Sequence, residues 1–164
     1  MRFRASHIIC GAALAGALAL APAQAEETNP CFTGDGSIKE VLDGCASYLA
    51  SGSTNKDQMI TAHSVRAMAF SAIGKIDDAI SELDEAVKID TTKPNSYFMR
   101  AAAYEAKKDL DKAIADLDEA IRIDAQHGDY FLLRGIVYRD KGDLDRALVE
   151  FNEKIKLDPD QTIG

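Results

Sequence analysis

Apolar residues in the second half of the chain fall at helical spacing, and they do so in nearly the same words three times. IDDAISELDEAVKID (Ile76 to Asp90), LDKAIADLDEAIRID (Leu110 to Asp124) and LDRALVEFNEKIKLD (Leu144 to Asp158) start 34 residues apart with no insertion between them. Each is preceded by a second helical pattern and separated from it by a short turn, at 73–75, 107–109 and 141–143. The spacing predicts three helical hairpins, over 60–93, 94–127 and 128–161, and an all-α chain.

Aligned at this period, the repeats show why the pattern recurs. Ala67, Ala101 and Gly135 form one small column, and Ala79, Ala113 and Ala147 another. Between them fall the aromatics Phe70, Tyr104 and Tyr138, then the bulky Leu83, Leu117 and Phe151. Small columns permit close helix approach and bulky ones fill the remaining space. A single hairpin cannot bury both its faces, whereas stacked hairpins cover one another, so the same interface is rewritten in each copy.

A shorter helical pattern precedes the repeats. Ser37 and Glu40 make an S-x-x-E capping box, Ile38, Val41, Leu42, Cys45 and Leu49 recur on one face, and Gly52 stops the helix. Residues 26–52 read as a capping segment that covers the first apolar face of the stack, and the small, polar residues 53–59 as a linker with Asn55 and Gln58 available as helix caps. Among the aspartates, Asp109 and Asp143 are placed to cap the second helix of their hairpins, and Asp111 and Asp145 to face its positive end. Lys75 stands where repeat one lacks the capping Asp.

The N-terminus changes the picture of where the protein works. Arg2 and Arg4 precede an apolar run from Ile8 to Ala21, and Ala23-Gln24-Ala25 has the spacing a signal peptidase accepts. Residues 1–25 are expected to be a signal peptide cleaved at Ala25, since the apolar run is too short to span a bilayer. Cys10 lacks the small-residue setting of a lipoprotein site. The destination is then periplasmic or secreted, an oxidising setting in which Cys31 and Cys45 are expected to pair; the alternative is two free thiols. The chain is acidic, with a formal net charge of −8, and removal of Arg2 and Arg4 makes it more so. That argues against nucleic acid or an anionic membrane surface as partner.

A 34-residue helix-turn-helix with small, Gly, Tyr, Ala, bulky and Pro columns resembles the tetratricopeptide repeat. Phe131, Gly135, Tyr138, Ala147, Phe151 and Pro159 carry the likeness best, whereas His63 and Thr91 stand where repeat one would usually have Trp and Pro. The cysteine-containing leader is similar to that of small exported bacterial proteins built on this repeat. The resemblance implies an α-solenoid of three such hairpins behind one disulfide-tied capping helix. It also implies a role in binding: first helices of successive hairpins line a concave groove for a peptide or helix.

Once the packing columns are assigned, a stripe remains on each first helix: Ser64, Met68, Ser71; Phe98, Ala102, Glu105; Leu132, Ile136, Arg139. Met68, Phe98, Glu105, Leu132, Ile136 and Arg139 are the candidate partner-binding residues, with the apolar ones expected to be dispensable for stacking; the competing reading is ordinary helix packing. The cationic clamp by which some family members grip acidic tails is missing, since Ser64, Met68, Met99, Asp129 and Leu133 occupy the matching positions. His63 and His127 lack catalytic surroundings, and the Asp pairs lack the spacing of a calcium loop. No enzyme activity, metal or cofactor is expected. The expected partner is a protein or peptide. The alternative is a homo-oligomer joined through an uncapped edge around Phe151, Ile155 and Leu157. Lys154, in the column of Ala86 and Ala120, fits an edge on which no further hairpin packs.

Overall fold

A computed structural model describes residues 28–159; the expected signal peptide lies outside the described residues. Among the described residues eight helices run in order: α1 (Pro30–Thr33), α2 (Ile38–Ala50), α3 (Lys56–Ala72), α4 (Ile76–Ile89), α5 (Pro94–Ala106), α6 (Leu110–Ile123), α7 (Gly128–Asp140) and α8 (Leu144–Leu157). They form an α-solenoid: α3–α4, α5–α6 and α7–α8 are hairpins, and α4 packs on α5 and α6 on α7. First helices also touch in sequence, α3 with α5 and α5 with α7, so they share one face of the stack.

The cap is built around a bridge. Cys31 on α1 and Cys45 on α2 are joined, with an S–S distance of 2.04 Å, and both are buried among Tyr48 and Ala62. Asn29 seats α1 by accepting from the Cys31 amide at 2.9 Å and donating to the Gly44 carbonyl at 3.1 Å. Gly44 has to be small here, because a Cβ would stand 2.5 Å from the Asn29 side chain. The capping box is formed: Ser37 accepts from the Glu40 amide and Glu40 from the Ser37 amide.

The segment expected as a linker over 53–59 is helical from Lys56 onward. Asn55 caps α3 by accepting from the Gln58 amide at 3.2 Å, and the added turn lets Met59 and Ala62 pack against the cap. Tyr48 closes the same junction, its hydroxyl donating to Gln58 at 2.9 Å and meeting Ser53 at 2.7 Å. Composition reads this stretch as loop because its burial is supplied by α1 and α2, which local pattern does not show.

All three hairpin turns close alike. The carbonyls of Phe70, Tyr104 and Tyr138 accept from the amides of Lys75, Asp109 and Asp143, each at 2.9 Å, around a left-handed residue. That residue is Gly74, Lys108 or Gly142, with φ of 76°, 64° and 82°. Asp143 caps α8 by accepting from the Arg146 amide, but Asp109 makes no capping bond to α6 and pairs with Lys112 instead. The expected symmetry of the two aspartates is therefore half realised. In the core, the small and bulky columns meet as pairs. At Gly135 a Cβ would come 2.6 Å from the Phe151 ring, so the third hairpin exchanges Ala and Leu for Gly and Phe at constant fill.

A second ladder, of charge, runs through the stack. Arg100 on α5 forks onto Asp116 of its own hairpin at 2.7 and 2.8 Å and reaches Asp84 of the preceding hairpin at 2.8 Å. Arg134 repeats this with Glu150 and Asp118, and Arg66 meets Glu82, which also holds His63. These arginines stand 34 residues apart, a signal the apolar reading passed over.

Candidate functional site: an apolar hollow between the first two hairpins

Where α3 and α5 run side by side, their facing surfaces leave an open hollow of about 600 Å³. Met68, Ser71 and Ala72 line it from α3, Phe98, Met99, Ala102, Ala103 and Ala106 from α5, and Ile76 and Leu83 of α4 close its floor. The wall is almost wholly apolar. Its size follows from three alanines: at the equivalent positions one repeat later the chain carries Ile136, Val137 and Asp140. Side chains of that bulk on α5 would occupy the space that Ala102, Ala103 and Ala106 leave open.

Two of the predicted residues meet here. Met68 is 54 % exposed and projects over the hollow, and Phe98 forms its opposite wall. Phe98 has a second role that the stripe did not reveal: its ring lies 5.2 Å from that of Tyr130, and it packs against the core of the second and third hairpins. It is therefore not dispensable for stacking. Met99 was counted among the positions lacking a cationic clamp; the structure makes it part of the wall. Of the hollow's alanines, Ala102 belongs to the stripe, while Ala103 and Ala106 stand in no column that the spacing singles out.

The other predicted residues lie elsewhere on the same helices. Leu132 is exposed and Ile136 half-buried, both on α7, outside the hollow. Glu105 pairs with Lys108 at 2.7 Å, Lys108 also reaches Asp140, and Arg139 binds Asp140 at 2.9 Å. These four charges largely cancel. The Asp140 carboxyl is held below the usual range by its bonds from Arg139 and Lys108, and the Lys108 ammonium is held above its own by Glu105 and Asp140. The rim on this side is thus polar but close to neutral.

A smaller hollow, of about 300 Å³, adjoins the first across Met68. It lies between the cap and α3 and is lined by Gly34, Gly36, Ile38, Val41, Val65 and Ala69. The disulfide-held lead-in thereby contributes to the same apolar surface. The histidines have ordinary partners: His63 meets Glu82 at 2.8 Å, and His127 stacks on Tyr130 at the start of α7. Among the described residues no three His, Cys, Asp or Glu side chains group as a metal site, and no helix is long and apolar enough to cross a membrane.

This architecture is one known from many proteins. Family models for the tetratricopeptide repeat match residues 65–128 and 128–161, and the chain belongs to that family. Among solved structures it is similar to MamA, at 23 % identity and a TM-score of 0.68, covering 79 % of this chain and 72 % of that one. It is similar to YrrB, described as a TPR protein with an unusual peptide-binding site, at 22 % identity and a TM-score of 0.66, covering 76 % of this chain and 62 % of that one. The second TPR domain of Spaghetti (RPAP3), bound to the HSP90 peptide SRMEEVD, aligns at 26 % identity and a TM-score of 0.59, covering 63 % of this chain and 94 % of that one. No curated protein sequence matches.

Proposed function

We propose that this chain is an exported interaction module that takes an apolar or amphipathic segment of another envelope or secreted protein in the hollow between α3 and α5. The observation that carries this reading is the apolar wall made by exposed Met68 with half-buried Phe98 and Met99, over a recess kept open by Ala102, Ala103 and Ala106. Apolar anchors seated in a recess with a polar rim are what helix-in-groove recognition uses. Two of the similar structures carry peptide sites or peptides, which supports a peptide-like ligand. The ligand here differs in chemistry from the acidic SRMEEVD peptide, because Ser64, Met68, Met99, Asp129 and Leu133 offer no cations to carboxylates. Leu132 and Ile136 extend the apolar surface toward the third hairpin.

Export is part of the proposal. It is supported by Arg2, Arg4, the apolar run and Ala23-Gln24-Ala25, and by the Cys31–Cys45 bridge, which persists in oxidising compartments. The intact mass of exported protein should place its start at Glu26; retention of residues 1–25 would refute cleavage.

Binding is tested by selecting peptides from a random display library on the immobilised protein, then titrating a selected peptide against variants. Met68→Asp should weaken binding by about thirtyfold, near 2 kcal/mol, with helical content unchanged. Ala102→Ile, which writes the third repeat's residue into the second, should fill the recess and have a similar effect. Selected peptides that bind both variants as tightly as the parent would sink the assignment.

A further inference from the structure

We propose that the outer face of α8 is a dimer interface at which two copies of this chain pack their last helices antiparallel about a two-fold axis. In the inner hairpins the second helix is covered by the next hairpin: Ile80 and Val87 of α4 are each only 8 % exposed, and Ile114 and Ile121 of α6 are half-buried. Their counterparts on α8, Leu148 and Ile155, are 62 % and 47 % exposed, and Leu144, in the column of the half-buried Ile76 and Leu110, is 61 % exposed. Leu144, Leu148 and Ile155 follow one another at spacings of four and seven, so they form a single seam along the helix. The seam continues, in the same register, the interface that joins one hairpin to the next.

Charge decides which occupant the seam fits. In the inner junctions Asp84 and Asp118 accept Arg100 and Arg134 from the following hairpin. In the last repeat that column holds Asn152, so the anchor for another arginine-bearing hairpin is gone. Asp145 stands in the column of Asp77 and Asp111, which accept Lys107 and Lys141, and Lys156 lies at the opposite end of the helix. Antiparallel pairing of two α8 helices brings Asp145 of one beside Lys156 of the other, where it joins Glu153 as a second partner for that lysine, and opposes the helix dipoles. The neutral Asn152 removes the like-charge contact that an aspartate would make near the centre. The other end of the stack is already covered by α1 and α2, so pairing closes at two copies and does not propagate.

Three apolar side chains per helix make a small interface, so the dimer should form at concentrations on the order of micromolar. Sedimentation equilibrium of the purified protein, across about 1 to 100 µM, should show a reversible monomer–dimer transition. Leu148→Glu should raise the dissociation constant at least about thirtyfold. Its helical signal should stay unchanged, since Leu148 is mostly exposed. Asp145→Lys should weaken the dimer, and Asp145→Lys combined with Lys156→Asp should recover it, which tests the antiparallel orientation without touching apolar residues. A monomer throughout the range, a dimer indifferent to Leu148→Glu, or open-ended growth with concentration would each overturn the proposal. Peptide binding at Met68 is read separately and does not depend on the outcome.

Discussion

Arg100 and Arg134 stand at equivalent positions and do the same work with unequal success. Arg100 uses Nε and Nη2 on Asp116 and Nη1 on Asp84, whereas Arg134 gives both Glu150 oxygens to Nη2 and leaves its buried Nε without a partner. The hydrogen bonds it donates to Asp116 hold the Arg100 guanidinium firmly charged; for Arg134 burial opposes the charge, and bonds to Glu150 and Asp118 outweigh it. Breaking a partly buried pair strands the remaining carboxylate, so Arg100→Met should cost about 2–3 kcal/mol in urea unfolding, and Arg134→Met less. Equal costs would contradict this account. At the same scale, Asp109, Asp129, Asp140 and Asp143 are held below the usual carboxylate range by Lys112, Lys154, Arg139 and Arg146 respectively. A depressed folded value means stability present above the unfolded value, about pH 4, and lost as pH falls through the folded one. The melting temperature should therefore drop progressively below about pH 4; a flat profile down to about pH 2 would argue against these pairs. The arginine ladder was open to a reader of the 34-residue columns. Its pairing was not, because the acceptors lie 16 residues away in both directions and only the stack brings them together.

Helices and turns were the most legible elements, since caps and apolar spacing are written locally, although Lys108 takes the left-handed turn position with no glycine to signal it. The hairpin turns at 73–75, 107–109 and 141–143 fall between the observed helices. The extra first turn of α3 was illegible because its reason is the cap. Lys154 is expected to mark an edge without a further hairpin; in the structure it folds back onto Asp129 and Asp158, so it fastens α8 to the start of α7 within the last hairpin. The cap makes the clearest prediction at this scale. Its bridge closes a loop over a separation of 14 residues, worth roughly 3 kcal/mol on the chain-entropy account. In a solenoid, stability is local, so reduction should loosen α1 and α2 before the hairpins melt. Hydrogen exchange should then show protection lost first in residues 30–50. Uniform loss along the chain, or no change, would deny the bridge that role.

At the scale of the whole stack, the described residues present two apolar surfaces of different origin. One is the hollow between α3 and α5, present because three alanines interrupt an otherwise filled face; the other is the end of the stack, exposed because no described element covers it. The stripe of Met68 and Phe98 was readable from spacing alone, but the recess was not, since its depth depends on Ala103, Ala106, Ile76 and Leu83 from neighbouring columns. Phe98 marks the boundary of the sequence reading. Its contact with Tyr130 makes Phe98→Asp a stability variant, expected to lower the melting temperature as well as binding, while Met68→Asp should affect binding alone.

Methionine methyl resonances give the most direct test of the hollow as the binding site. Met68 and Met99 line it, whereas Met59 packs against the cap and serves as an internal reference. On titration with a library-selected peptide, the Met68 and Met99 methyl signals should shift together and saturate at one equivalent, with Met59 nearly still. Saturable binding that leaves Met68 and Met99 unmoved would contradict the assignment of this hollow as the place where a partner docks.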